Sequence, residues 1–418
     1  MSEATLSPTA TPEAPPKRRH PITVRHFRNL WIGSTVSLLG DQFYLVALPW
    51  LTLQLTGSSL ALGTILMTAA VPRAALMLVG GAVIDRFSAR RVLMTTAVVR
   101  AALVGAVALL VWLGRIQLWE LYALTFAFGV ADAFSFPAGP ALMPTLVKPE
   151  QLRPANALMQ SSNMLAQMAG PAPAGLLIKS FGTAAALFID ALSFLAAIAA
   201  LFRIPERPKA APAAGAGPRP SMLHSIAEGL RTVWHDSALR SLMAIFAGLN
   251  FCVAGPIGVG LAAMAKFQFK SAAAFGTLLS SFSGGMLLGM LLGGLIKEPR
   301  HRGIQFMVMS LVCGLELVAI GVFPSFGAVA GLLAVMGLGV GFVNVQFSAW
   351  MQMRVEHALL GRVMSVMMFS AVGLIPVSYA AAGALAHWSL PALFIGAGVV
   401  LMAVAALTLT SRSARAID

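Results

Sequence analysis

Charge is scarce in this chain. Of its 418 residues only 11% are Asp, Glu, Lys or Arg, while 58% are hydrophobic. A soluble globular domain carries about 25% charged residues, so this composition cannot clothe an ordinary water-facing surface. Cysteine is nearly absent as well. Cys252 and Cys313 both fall in apolar stretches, which excludes a disulfide framework and suits small apolar packers. The chain holds no Gly-x-x-x-x-Gly-Lys-Ser/Thr loop, so it offers no cradle for ATP phosphates. It shows no metal-ligand spacing and no nucleophile elbow. These absences argue against an enzyme, a bound cofactor or a metal centre.

What fills the chain instead is apolar sequence in long runs. A membrane span needs roughly 20 mostly apolar residues. Such stretches are expected at 29–54, 59–84, 91–113, 117–142, 155–178, 183–203, 241–265, 271–296, 303–323, 327–350, 362–386 and 390–411. Backbone groups in lipid must be satisfied within their own segment, so each stretch reads as a helix. A transmembrane β-barrel would show short alternating segments. The fold class is therefore an all-α membrane protein of twelve spans.

The formal net charge of +14 invites a nucleic-acid reading. The placement of the positives argues against it. With the N-terminus inside, 23 of the 29 Lys and Arg fall on the cytoplasmic side and only Arg115, Lys179, Lys266 and Lys270 on the other. Arg73 and Arg100 lie within spans. This is the positive-inside asymmetry, and it predicts that both termini are cytoplasmic. Phosphate recognition would need the positives gathered on one solvated face. The first 20 residues are rich in Pro, Ala and Thr and end in Lys17-Arg18-Arg19-His20. They read as a basic tail without fixed structure, and the apolar stretch after them is too long for a signal-peptide core.

Five regions follow: a tail over 1–28, a six-span bundle over 29–203, a linker over 204–240, a second six-span bundle over 241–411, and a tail over 412–418. The linker opens Arg203-Ile-Pro-Glu206-Arg207-Pro-Lys209 and runs Ala/Pro/Gly-rich to Pro220. From Ser221 to Leu242, Leu223, Ile226, Leu230 and Val233 stand at helical spacing, which predicts an amphipathic helix on the membrane surface.

The bundles echo each other. Phe27-Arg28-Asn29-Leu30 returns as Leu239-Arg240-Ser241-Leu242 at an offset of 212. SSLALGTIL from Ser58 returns as SAAAFGTLL from Ser271, and GGAVID from Gly80 as GGLIKE from Gly293, both at 213. Two related halves imply a pseudo-twofold axis along the membrane normal, with a site between them near the midplane.

Ionisable residues inside spans are candidate functional groups. Asp41 lies in span 1, Arg73 beside Pro72 in span 2, Arg100 in span 3, Asp132 in span 4, Asp190 in span 6 and Glu316 in span 9. A structural ion pair of either acid with Arg73 or Arg100 is the competing reading. In span 8, Gly285, Gly289 and Gly293 stand four residues apart, the spacing of a close-packing face.

The loop joining spans 2 and 3 reads Gly81-Ala-Val-Ile-Asp85-Arg86-Phe-Ser-Ala-Arg90-Arg91. It resembles the cytoplasmic signature of the major facilitator superfamily, Gly-x-Leu-x-Asp-Arg-x-Gly-Arg-Arg/Lys. Gly81, Asp85, Arg86 and Arg90 match, while Val83, Ser88 and Ala89 depart from it. A degenerate second copy, Gly294-x-x-x-Glu298-Pro-Arg300, falls between spans 8 and 9. The resemblance implies that this loop is a conformational latch, with Gly81, Asp85, Arg86, Arg90, Arg91, Glu298 and Arg300 as its residues. A solvated anchor is the plainer reading. Asp85 is expected to serve the positive end of the span 3 dipole.

Phrases such as Gly40-Asp41-Gln42-Phe-Tyr44, Phe134-Ser-Phe-Pro137, Ala155-Asn156, Phe188-Ile-Asp190-Ala-Leu-Ser-Phe194 and Gly361-Arg362-Val-Met-Ser365 resemble the branch holding macrolide efflux proteins and the enterobactin exporter. Gly170-Pro171 with Gly175 resembles a shortened antiporter motif and is expected to kink span 5. The family fold implies that spans 1, 4, 7 and 10 line a central cavity. Asp41 and Asp132 are then the proton-coupling candidates, with Arg73, Asn250 and Asn344 beside them, while Arg100, Asp190 and Glu316 are structural.

The resemblance implies a monomeric secondary transporter in the bacterial inner membrane. It would be in contact with lipids and would exchange protons for a small amphiphilic molecule such as a drug or siderophore-like compound. The 22 Met and 24 Phe suit an adaptable apolar cavity. Uptake of a nutrient or lysophospholipid by the same fold, or a membrane receptor or assembly factor that transports nothing, are the alternatives.

Overall fold

The computed structural model describes residues 20–206, 230–231, 233–295, 302–355, 363, 366–367, 369–370 and 372–410. The side chains of 78–86, 238, 302, 409 and 410 lie outside that description. Glu298, Arg300, Gly361, Arg362, most of the linker and the side chains of Gly81, Asp85 and Arg86 therefore fall outside it.

Ten helices among the described residues are long and apolar enough to cross a membrane. In the first half, spans 1 to 4 are Arg25–Thr56, Ser59–Arg86, Ala89–Trp112 and Leu118–Leu142. Span 5 begins as Leu152–Ala169 and continues into Pro171–Phe202, a continuous helix only by hydrogen-bond pattern. At Gly182 the backbone takes φ 82° and ψ 170°, a conformation glycine alone adopts at little cost. The chain reverses there, so spans 5 and 6 share one segment. In the second half, span 7 runs Ser237–Gly255, a π turn Pro256–Gly260, and Leu261–Phe267. Pro256 cannot donate to the ladder. At the same bend, Gly255 donates its N–H to Ser378 Oγ of span 11 at 2.8 Å. Spans 8, 9, 10 and 12 are Ala272–Leu295, Arg302–Val322, Phe326–Arg354 and Leu390–Thr410. Span 11 ends in Ile375–Trp388.

Of the amphipathic stretch expected over Ser221 to Leu242, residues 221–229 and 232 lie outside the described residues. Residues 230, 231 and 233–235 are helical, Asp236 is not, and span 7 starts at Ser237. Asp236 Oδ1 accepts the Leu239 N–H at 3.4 Å, capping the new helix. Val233 is buried in an apolar cluster with Leu239, Leu242, Phe306 and Phe347, while Leu230 and Trp234 stay exposed. Cys252 and Cys313 are buried and free.

Glycine sets where the halves meet. A Cβ on Gly63 of span 2 would lie 2.5 Å from the Tyr379 carbonyl and 2.7 Å from Gly383 Cα, both of span 11. Gly276 of span 8, the same position of the repeat, would meet the Pro171 carbonyl oxygen of span 5 at 2.0 Å. The pseudosymmetry seen in the text is thus seen in the packing: one small residue per half admits the other half's backbone. Gly175 against the Ala272 carbonyl, and Lys266 Nζ over the Trp50 ring at 4.9 Å, add to the same level. All of these lie toward the end of the bundle away from the linker. Gly285 and Gly289 instead pack span 8 on the backbone of span 10 within the second half.

Candidate functional site

On the linker side of those contacts the halves part around a cavity of about 1210 Å³. Spans 1, 2, 4, 7, 8, 10 and 11 contribute most of its wall. Its two sides differ chemically. Among the described residues, every ionisable carboxylate and guanidinium that lines it comes from the first half: Asp41, Arg73, Arg100 and Asp132. The second half brings Asn250 and Asn344, Ser283 and Ser348, and the rings of Phe246, Phe282, Phe347 and Tyr379.

Four helices deliver the charged groups to one depth. Arg100 is eleven residues into span 3, about 17 Å from its start at 1.5 Å per residue. Arg73 sits near the middle of span 2 and Asp132 near the middle of span 4. Gly129 brings these two spans together. A Cβ there would lie 2.2 Å from the Ala69 carbonyl oxygen and 3.0 Å from the Pro72 ring, so the span 2 backbone presses against span 4 one turn from Asp132. Arg73 Nε then reaches Asp132 Oδ2 at 3.2 Å.

Arg100 links that pair to span 1. Its Nη2 donates to Asp41 Oδ1 at 2.8 Å, and its Nη1 lies 3.8 Å from Asp132 Oδ1. The result is a chain across four spans: Asp41, Arg100, Asp132, Arg73. The Arg100 guanidinium is also sandwiched between the Phe128 and Phe194 rings, each centroid 4.6 Å away. Such cation–π contacts contribute about 0.5–2 kcal/mol each, more where water is excluded. Tyr44 stacks on the outer face of Phe128 at 4.6 Å. Arg73 is the most open of the four, its side chain 44% exposed against 12% for Arg100.

The sequence assigns Arg100 to structure, with an ion pair to Asp41 or Asp132 as one reading; here it pairs with Asp41 and lies near Asp132 as well, since buried carboxylates need cations. Asn250 and Asn344 line the cavity from the other half. The Asn250 amide is partly committed, donating to the Phe246 carbonyl at 2.9 Å. The aromatic shelf of Phe246 and Phe347, centroids 3.9 Å apart, carried no individual signal in a chain so rich in Phe. Asp190 of span 6 and Glu316 of span 9 lie off the cavity. They are 0% and 6% exposed, each with a carboxylate oxygen lacking a hydrogen-bond partner among the described residues.

The loop joining spans 2 and 3 is organised around Ser88. Helix 2 continues through Asp85 to Arg86, and Ser88 caps span 3 by accepting the Arg91 N–H at 3.3 Å. Ser88 has a φ of −70°, so a non-glycine residue fits there without strain, while the expected dipole role of Asp85 lies outside the described side chains. Ser88 Oγ also donates to Glu206 Oε1 at 2.8 Å, and Arg91 pairs with the same carboxylate at 2.6 Å. These hydrogen bonds, from Ser88 first and then Arg91, hold the Glu206 carboxyl below the ordinary glutamate value. Arg90 Nε donates to the Leu201 carbonyl at 3.0 Å. At Gly170 of span 5 the backbone stays helical, with φ −78° and ψ −45°, a Cβ would lie 2.5 Å from Gln42, and Pro171 next to it cannot donate to the ladder. Both Gly170 and Gly175 serve close packing, the first against span 1 and the second against span 8.

Comparison with known proteins follows from this geometry. The sequence model of the Major Facilitator Superfamily matches residues 30–375. Macrolide efflux protein A of Streptococcus pyogenes is 25% identical over 345 residues, covering 81% of this chain and 84% of that protein. Multidrug efflux pump Tap of Mycobacterium tuberculosis is 27% identical over 365 residues, covering 84% and 85%. Among solved structures, a bacterial homologue of the iron transporter ferroportin in an inward-facing state superposes with TM-score 0.71 at 18% identity, covering 92% of this chain and 98% of that one. The nucleoside transporter NupG superposes with TM-score 0.70 at 13% identity, with the same coverage. These two show a common fold.

Proposed function

This chain belongs to the major facilitator superfamily, and from that premise we propose that it exports an amphiphilic small molecule by alternating access in exchange for protons. It is a multi-pass membrane transporter with efflux-pump relatives, not an enzyme. The observation that carries the finer reading is the chain of carboxylates and guanidiniums on one wall of the cavity, facing aromatic rings and amides on the other. An amphiphile finds an apolar shelf and a polar edge in one space. The names of the relatives, a macrolide exporter and a multidrug pump, favour export over uptake.

Asp41 is the residue best placed to carry the coupling proton. Its carboxylate faces the cavity and has one strong partner, Arg100. A proton arriving on Asp41 neutralises it and releases Arg100 toward Asp132, which already lies 3.8 Å away. The rearrangement redistributes charge between spans 1 and 4 and couples protonation to the packing of the first half. With the linker in the cytoplasm, as the positive charges favour, the cavity faces the cytoplasm and this conformation loads substrate. The membrane is then the bacterial inner membrane.

The test is transport of a labelled macrolide or amphiphilic dye into inverted proteoliposomes under an imposed proton gradient. Wild-type protein should accumulate the probe uphill and lose accumulation with a protonophore. Asp41→Asn should keep downhill exchange and lose uphill accumulation. It should also fold, because Arg100 retains Asp132 as a partner. Uphill, pH-dependent accumulation by a well-folded Asp41→Asn protein would overturn the assignment.

A further inference from the structure

Behind Asp41, away from the cavity, lies a third acid that the exchange just described does not use. Asp190 is 0% exposed. Its Oδ1 accepts a weak hydrogen bond from Ser193 Oγ at 3.5 Å, while that hydroxyl's shorter bond, 2.7 Å, goes to the Asp190 carbonyl. Its Oδ2 is buried without a partner. A Cβ on Gly40 would fall 2.8 Å from Asp190 Oδ1, so the carboxyl rests against the span 1 backbone at the residue before Asp41. The ionisable groups within its electrostatic reach are Asp41 and Tyr44 of span 1 and Arg100 of span 3. Among the described residues none of the Lys or Arg side chains forms an ion pair with it.

Counting charge at this depth gives three carboxylates, Asp41, Asp132 and Asp190, against two guanidiniums, Arg73 and Arg100. Fully ionised, the cluster carries one uncompensated negative charge in a medium that penalises it heavily. One bound proton makes it neutral. Asp41 is bonded to Arg100, and Asp132 lies between both arginines, so the acid left without a cation is Asp190.

We propose that Asp190 is a proton-holding residue of the coupling machinery: it stores the cluster's single proton in this conformation and exchanges it with Asp41. In the exchange the O–H bond of Asp190 breaks and its proton forms an O–H bond on the Asp41 carboxylate. Arg100, released from Asp41, then sits between Asp132 and the new carboxylate at Asp190, and the cluster's charge is unchanged. The rings on either side of Arg100 suit this motion, because Phe194 stands one helical turn from Asp190 on span 6. Asp41, on the cavity wall, then releases the proton to water. The proposal rests on proton-coupled export, which its test keeps separable.

Infrared spectra of the purified wild-type protein should show the C=O band of a protonated, buried carboxyl at neutral pH. Asp190→Glu should shift that band, and Asp41→Glu should leave it unmoved. A band that follows residue 41, or no such band, overturns the proposal, and the Asp41→Glu spectrum decides even if the residue 190 variant does not fold. In proteoliposomes Asp190→Asn balances the cluster without a proton. It should keep downhill exchange but lose substrate-triggered proton release and flatten the pH profile of transport. An Asp190→Asn protein with the wild-type pH profile assigns residue 190 to packing alone and overturns the proposal. Absence of substrate-triggered proton release in the wild type would instead count against proton-coupled export itself.

Discussion

Gly276→Ala should shift the conformational equilibrium without unfolding the protein. The added methyl would lie 2.0 Å from the Pro171 carbonyl oxygen and 2.9 Å from its carbon, whereas ordinary contact begins at 3.4 Å. The obstacle is backbone, which no rotamer change removes, so spans 5 and 8 must separate by more than an ångström at their crossing. Overpacking of this kind costs about 1–3 kcal/mol. If the opposite conformation parts the halves at this level, the cost falls on the present state alone. A coupling of about 1–3 kcal/mol corresponds to a population shift of about 5- to 150-fold. The assay is labelling of a single cysteine placed at Asn344, with Cys252 and Cys313 replaced, by an impermeant maleimide added on the linker side. Labelling should slow in Gly276→Ala, and a cysteine at Leu48 should gain reactivity from the opposite side. Gly63→Ala, the repeat mate, should act alike. Gly284→Ala is the control, because its methyl would meet only the Met168 side chain at 3.5 Å. Unchanged labelling in both Gly276→Ala and Gly63→Ala would refute the idea that these crossings bias the equilibrium.

Arg100→Leu should lower thermal stability strongly, because it strips Asp41 of its partner and Asp132 of one of two; breaking a buried pair costs about 3–5 kcal/mol. The Arg100→Leu, Asp41→Leu double variant should recover much of that loss in a melting experiment while remaining uncoupled. Glu206→Gln should loosen the loop around Ser88, seen as increased mobility of a spin label at residue 89. Because the folded Glu206 value is depressed below 4.5, its pairing is complete above the ordinary glutamate range. Wild-type protein should therefore gain that mobility only as pH falls through the lower, folded value. A reporter fused after Pro220 should be active in a cytoplasmic format and silent in a periplasmic one.

Hydropathy carried the spans well because a helix in lipid must be apolar over a fixed length. It set the end of span 5 and the start of span 6 on either side of Gly182, where a single φ divides the helix, but gave no sign of Asp236, which separates helical residues 233–235 from span 7. Azimuth was harder still. A span that is apolar all round has no face to read, so an ion pair of Arg100 with Asp41 or Asp132 could be named as an alternative but not its bridging of both, and nothing along span 6 indicated that Asp190 backs onto Gly40. The repeat was more informative than it looked, since the aligned pair Gly63 and Gly276 performs one packing task twice. The motif pointed to the loop joining spans 2 and 3, yet the partner of Ser88 and Arg91 there, Glu206, lies in what reads as linker.

The unequal walls of the cavity have a consequence for how such a protein changes over generations. Side chains that handle charge come from spans 1 to 4, and those that offer rings and amides come from the second half. Under the proposed proton exchange, a substitution at Phe246, Phe347 or Asn344 can therefore reshape what is recognised while Asp41, Arg73, Arg100 and Asp132 keep their spacing. On that proposal cargo range and energy supply are inherited on separate stretches of the chain, so change in one need not break the other.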